Sequence, residues 1–227
     1  VKIATVSLNY YTQNSEGACH TAASRTHAKN VDFVGFTEVR SAAMTEGLTK
    51  GLGDKYDLIA HQESPQAFKS KKWRLTGHRV VEGTPGEAGI TPNLFLVIGT
   101  YENIKKPRKV LEIISTHTVP LTEKGHKRSD YVHRLQMWNK HWKLLKDAIQ
   151  AAKAKNHTVF VIGDFNNILV GKNKIHELDP KAKWIIRNGL DWVFVIEGSI
   201  KVKVAGLTHK FDSGSDHKAC WRNVVLI

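Results

Sequence analysis

Apolar positions in the chain fall into short runs separated by polar stretches. Residues 2–10 (KIATVSLNY), 31–39 (VDFVGFTEV), 56–61, 73–81, 93–101, 109–118, 157–163, 189–195, 200–207 and 218–227 have the length and the β-branched or aromatic content of strands. A different period runs from Ser129 to Ala154. Val132, Leu135, Trp138, Trp142, Leu145, Ile149 and Ala152 recur at three- and four-residue steps, which predicts a helix with one apolar face. Ser129 is its expected N-cap, and Arg134, Lys140, Lys143 and Lys146 its expected polar face. Further helices are expected at 19–30 and near 42–52, and the Gly- and Pro-rich stretch 82–92 reads as a loop. There is no repeat, low-complexity segment or linker. Helices set between adjacent strands predict an α/β sandwich with mixed sheets, as a single domain over 1–227.

The polar residues that interrupt this pattern gather at strand ends. Asn9 ends the first strand, Glu38 the second, and His117 the strand at 109–118. Asp164 and Asn166, in "GDFN", follow the strand at 157–163; Asp191 opens a strand, and Asp216 and His217 precede the last. Each alone has an ordinary explanation, because Gly, Asp and Asn are the commonest turn formers. A recurrent carboxylate, amide or imidazole at strand ends is what a site held by a rigid scaffold requires.

Charge narrows the partners. Lys and Arg number 34 against 21 Asp and Glu, a net charge of +13, and the cations recur in groups such as "KSKKWR" (69–74), "KKPRK" (105–109), "EKGHKR" (123–128) and "KNK" (172–174). Such a field attracts polyanions, nucleic acid first and an anionic membrane surface second. No apolar run reaches the ~18 residues of a bilayer span, and no amphipathic membrane-seeking segment is evident. The N-terminus has a strand pattern where a signal peptide would have an apolar core and a cleavage site. Two cysteines, Cys19 and Cys220, make no disulfide framework. The expectation is a cytoplasmic or otherwise intracellular bare domain with reduced thiols; secretion stays open if a signal was removed.

Taken in order, Asn9, "FTEV" (36–39), "STH" (115–117), "GDFN" (163–166), "LDWVFV" (190–195) and "SDH" (215–217) resemble the endonuclease/exonuclease/phosphatase superfamily over nearly the whole chain. The resemblance implies a four-layer αββα sandwich with two mixed β-sheets, deoxyribonuclease I-like. It implies Mg²⁺-dependent hydrolysis of phosphodiesters, with Mn²⁺ or Ca²⁺ as substitutes. By motif, Asn9, Glu38 and Asp216 are the implied metal ligands. Asp164 would orient or deprotonate water, Asn166 would hold that water or a phosphate oxygen, and His217 would contact the scissile phosphate with Asp191 orienting it. His117 stands where deoxyribonuclease I-like members carry a second catalytic histidine, and Arg40 where they carry a DNA-contacting arginine. Thr37 replaces the usual glutamine before the metal glutamate, and a gapless match would put Ser7 in place of Asn9. The reading is a nuclease acting on DNA, endonuclease favoured, as a monomer. The alternatives are a phosphodiesterase or phosphatase for a phosphoinositide or phospholipid, and a non-catalytic nucleic-acid-binding module.

Overall fold

The computed structural model describes residues 1–120, 122, 129–167 and 174–227. The basic group at 123–128 and most of that at 172–174 therefore lie outside the described residues.

Two six-stranded sheets form. The first contains β1 (Lys2–Ser7), β2 (Phe33–Thr37), β3 (Tyr56–Ile59), β4 (Gln66–Lys69), β11 (Val202–Phe211) and β12 (Ala219–Leu226), in the order β11-β12-β1-β2-β4-β3. The second contains β5 (Trp73–Thr84), β6 (Leu94–Asn103), β7 (Lys106–His117), β8 (Thr158–Asp164), β9 (Lys183–Asn188) and β10 (Asp191–Ile196), in the order β5-β6-β7-β8-β10-β9. Both are mixed: β1 runs parallel to β2, and β7 to β8, while their other pairings are antiparallel.

The side-chain period of two sorts each strand between layers. Phe160 and Ile162 of β8 point into the interface between the sheets, with Ile3, Phe33 and Val193. Val159 and Val161 point the other way, onto Trp138, Leu145 and Ile149 of helix α3 (Tyr131–Ala154). Ala4, Val6, Val34 and Phe36 cover the outer face of the first sheet under α1 (Glu16–Ala28) and α2 (Ala42–Leu52). A short helix α4 (Ile175–Leu178) joins the α3 layer. The result is the αββα sandwich. Burial on both faces is why the central strands read as near-continuous apolar runs.

Two glycines set close approaches. A Cβ on Gly35 of β2 would lie 2.8 Å from Ile162 Cγ2 across the sheet interface. A Cβ on Gly163 would strike the backbone carbonyl of Thr116, so only glycine lets the ends of β7 and β8 close up.

The structure corrects several local expectations. α1 begins at Glu16, with Ser15 Oγ accepting from Ala18 N at 3.2 Å, ahead of the expected start at 19. β4 and β9 were not expected, and β5 continues to Thr84 into the expected loop. Asp130, not Ser129, occupies the N-cap position of α3, and its carboxylate bonds Arg134 Nε at 2.8 Å. Arg134, expected on the polar face, is 2% exposed, while Val132, expected on the apolar face, is 63% exposed. The buried sector of α3 is therefore rotated at its N-terminal end, because the buried Arg134 has backbone carbonyls to bond there. Cys19 and Cys220 are both free and buried, and among the described residues no helix is long and apolar enough to cross a membrane.

Candidate active site

Strand register brings the polar strand ends together. His117 and Asp164 are direct partners at the ends of parallel β7 and β8, and Asp191 opens antiparallel β10 opposite Asp164. Ser7 and Thr37 pair at the ends of β1 and β2, with Thr37 Oγ1 donating to Ser7 Oγ at 2.9 Å, so Asn9 and Glu38 follow from the same edge. Ligand atoms of Glu38, His117 and Asp164 lie within 4.8 Å of one another, as do those of Asp164, Asp191 and His217. Asp164 belongs to both groups.

Each histidine is backed by a carboxylate. His217 Nδ1 donates to Asp191 Oδ2 at 2.9 Å, with Asp164 Oδ2 at 3.9 Å. The Asp191 bond raises the His217 pKa to about 9 against the opposing effect of burial. Burial raises the Asp191 carboxyl, and the bond to His217 only partly offsets this. Asp191 Oδ1 is buried without a hydrogen-bond partner among the described residues. His117, 4% exposed, donates from Nδ1 to Glu63 Oε2 at 2.9 Å. Burial disfavours the charged ring there, but Glu63, with Asp164 and Glu38 behind it, carries the pKa above the usual histidine value. A third histidine, His141 of α3, sits behind the site between Thr116 Oγ1 (2.7 Å) and Thr84 Oγ1 (3.2 Å). Burial holds its pKa near 3, so it is a neutral structural link.

Sequence reasoning missed Glu63. It is fully buried, bonds both His117 and Arg40, and takes φ 69. It lies just before β4, a strand too short to stand out, in "HQES" (61–64). A carboxylate behind His117, as Asp191 stands behind His217, could have been sought in the sequence, but nothing there singles out Glu63. Glu38 (φ 65) and Asn166 (φ 46) share its left-handed backbone; such conformations cost about 1–3 kcal/mol each and cluster at functional sites.

The "GDFN" turn is fixed from three sides. Asn166 N donates to Asp164 Oδ1 at 2.8 Å. Asn166 Nδ2 donates to Thr118 O at 2.8 Å and faces His117 Nε2 at 2.9 Å. Trp138 Nε1 donates to Phe165 O at 3.1 Å.

A cleft of ≈ 750 Å³ opens over Glu38, Arg40, His117 and Asn166, with Tyr11 and residues 86–93 among its walls. Arg40 is already engaged: Nε bonds Glu63, a second nitrogen is 3.8 Å from Glu38, and the guanidinium lies 4.7 Å from the Tyr10 ring centre. Tyr10 N donates to Glu38 Oε2 at 3.1 Å, and Asn9 Oδ1 accepts from Tyr11 N at 3.0 Å. Asp216 is not brought into the carboxylate groups. It is exposed, its Oδ1 accepts from Ser215 Oγ and His217 N, and it lines a second recess with Asn188, Lys210 and Lys218. The donor chemistry of Glu38 and Asp164 fits a hard divalent cation. His117 is unsuited as a ligand, since both ring nitrogens already face partners.

No family model and no curated protein matches the sequence. Solved structures similar to it include an endonuclease/exonuclease/phosphatase from Bacteroides vulgatus, at 15% identity and TM-score 0.72, covering 100% of this chain and 99% of that one. D. rerio TDP2 complexed with single-strand DNA product is similar at 13% identity and TM-score 0.73, covering 99% and 98%. The mannosyl-6-phosphatase of Bacteroides thetaiotaomicron VPI-5482 is similar at 12% identity and TM-score 0.66, covering 99% of each chain. At these identities the likeness establishes the deoxyribonuclease I-like fold.

Proposed function

We propose that this chain is a metal-dependent phosphodiester hydrolase of the endonuclease/exonuclease/phosphatase superfamily, acting on nucleic acid and on DNA foremost. The observation that carries the reading is the pair of carboxylate–imidazole dyads, Glu63–His117 and Asp191–His217, set on either side of Asp164 with Glu38 beside them. A purely structural ion pair needs one such dyad; hydrolysis of a phosphodiester needs charge at the phosphate, a base for water and an acid for the leaving oxygen.

His217, protonated across neutral pH, supplies a cationic hydrogen bond to a non-bridging phosphate oxygen. Asp164 would orient water and take its proton; the bond from Asn166 N to its Oδ1 supports that role. His117 would protonate the departing oxygen from Nε2, since Glu63 holds Nδ1–H; Asn166 Nδ2, a donor that meets Nε2, would have to yield that position to the leaving oxygen. A divalent cation, Mg²⁺ or in its place Mn²⁺ or Ca²⁺, would supply charge neutralisation at the phosphate and a more acidic water. Glu38 and Asp164 would hold it, with Asn9 beside them. The net charge of +13 supports a polyanionic substrate, and the TDP2 likeness, whose structure carries single-strand DNA product, supports nucleic acid over a phosphoinositide.

The test is incubation with supercoiled plasmid, linear duplex, single-stranded oligonucleotide and phosphoinositide vesicles, each with Mg²⁺ and with EDTA. Mg²⁺-dependent cleavage of a nucleic acid is expected. Turnover of the phosphoinositide alone would replace this reading with the lipid one.

A further inference from the structure

One wall of the cleft is a small, internally bonded turn. Within residues 86–93, Glu87 N donates to Thr91 O (2.8 Å), Thr91 N and Ile90 N donate to Glu87 O (3.0 Å each), and Gly89 at φ 73 reverses the chain. These bonds shape the turn without fixing where it stands relative to His117 and Asn166.

Arg134 of α3 does that. The side chain is buried, and its donors go to main-chain carbonyls: Nη1 to Ile90 O (3.0 Å) and Pro120 O (3.4 Å), Nη2 to Gly89 O (3.3 Å), with Nε on the Asp130 carboxylate (2.8 Å). Pro120 lies three residues beyond His117, so one guanidinium ties the wall to the strand exit that carries the imidazole. The neighbouring His133 adds a bond from Nε2 to Glu87 Oε2 at 2.6 Å. Burying a guanidinium is costly unless its donors are satisfied, and its planar fork holds several carbonyls in one fixed arrangement.

The wall's chemistry points to what rests on it. Ile90, Thr91, Pro92 and Asn93 line the cleft, and the wall carries no cation; its single charge, Glu87, faces His133. No cationic side chain of the wall meets a phosphate there, whereas its largely uncharged surface suits the sugar and base of a nucleotide. We infer that residues 86–93 form a subsite for the sugar and base next to the scissile phosphate, and that Arg134 is the positioning residue that sets its distance from His117 and Asn166. This rests on the nuclease reading of the same cleft.

Two diesters isolate the subsite: thymidine 5′-(4-nitrophenyl) phosphate and methyl 4-nitrophenyl phosphate, which lacks sugar and base. The unsubstituted protein is expected to prefer the thymidine diester. In Arg134→Lys, KM for the thymidine diester should rise roughly 10-fold with kcat largely kept, while kcat/KM for the methyl diester changes less than ~2-fold. Amide hydrogen exchange at Glu87, Ile90 and Thr91 should accelerate while β7 and β8 stay protected. If Arg134→Lys does not fold, His133→Ala, which removes an exposed contact, should show the same effects to a smaller extent. Equal losses on both diesters, no preference for the thymidine diester, or unchanged exchange in the wall would overturn the inference. An unsubstituted protein that hydrolyses neither diester would contradict the catalytic reading instead, and hydrogen exchange would still decide whether Arg134 holds the wall.

Discussion

The proposed function gives Glu38 and the two imidazoles different tasks, so their substitutions separate by measurement. Glu38→Gln keeps the side-chain volume and removes the anion; cleavage should fall on the order of 10²-fold or more with the thermal midpoint nearly unchanged. Undiminished Mg²⁺-dependent rates in that variant would remove Glu38 from the site. His117→Ala should slow cleavage ~10²–10⁴-fold as loss of a general acid; wild-type kinetics at every pH would make that histidine structural. Asp191→Asn removes the partner that raises His217 to about 9 and leaves burial, which lowers it. The alkaline limb of activity should then move down from near pH 9, with Asp164 and Asp216 still favouring the charged ring, and NMR titration of His217 follows the shift directly. For stability the sign is the same: His217 contributes fully below 6.5, and the contribution is lost as pH rises through about 9. Asp164, Asp191, His117 and His217 were legible as residues because each sits in a short motif at a strand end. Glu63 was not, since nothing local in "HQES" distinguishes it from a surface glutamate; only its burial against His117 and Arg40 does.

At the scale of elements, the central strands were legible because burial on both faces writes them as apolar runs. β9 was not, because "KWIIRN" mixes charges into a six-residue edge strand, and β4 is four residues long. The helical period of α3 was plain, but its orientation was not. Sequence pattern treats every arginine as solvated, whereas Arg134 finds carbonyls to bond inside. The junction of β7 and β8 gives the prediction for this scale. Gly163→Ala places a methyl group against the Thr116 carbonyl, which backbone pairing on both strands prevents from moving. The variant should lose about 2 kcal/mol or more by denaturant unfolding, and lose activity beyond what its folded fraction explains, because His117 and Asp164 are register partners. Wild-type stability would show that the two strands can part there without consequence.

Across the whole molecule, basicity and fold were legible together, and the direction of the positive field was not. Arg40 is largely occupied by Glu63, and Lys153, near the end of α3, is paired with buried Asp179. Lys210 and Lys218 line the recess beside Asp191 and His217. With the Asp164→Asn protein, the affinity for duplex should fall with salt by roughly 0.9 in log–log slope for each phosphate neutralised, ~0.7 for a single strand. Lys210→Ala and Lys218→Ala should each reduce that slope, and Lys143→Ala, on an exposed helix face, should not. A salt-independent affinity would detach the net charge from substrate binding.

The measurement that bears most directly on the central claim is cleavage of a labelled oligonucleotide and of plasmid by three proteins: unsubstituted, Glu38→Gln and Asp164→Asn, each with Mg²⁺ and with EDTA. The account predicts phosphodiester cleavage by the unsubstituted protein with Mg²⁺, its abolition by EDTA, and its loss in both variants at preserved folding. Cleavage that survives EDTA or either substitution, or a folded protein that cleaves no nucleic acid with any of Mg²⁺, Mn²⁺ and Ca²⁺, would contradict it.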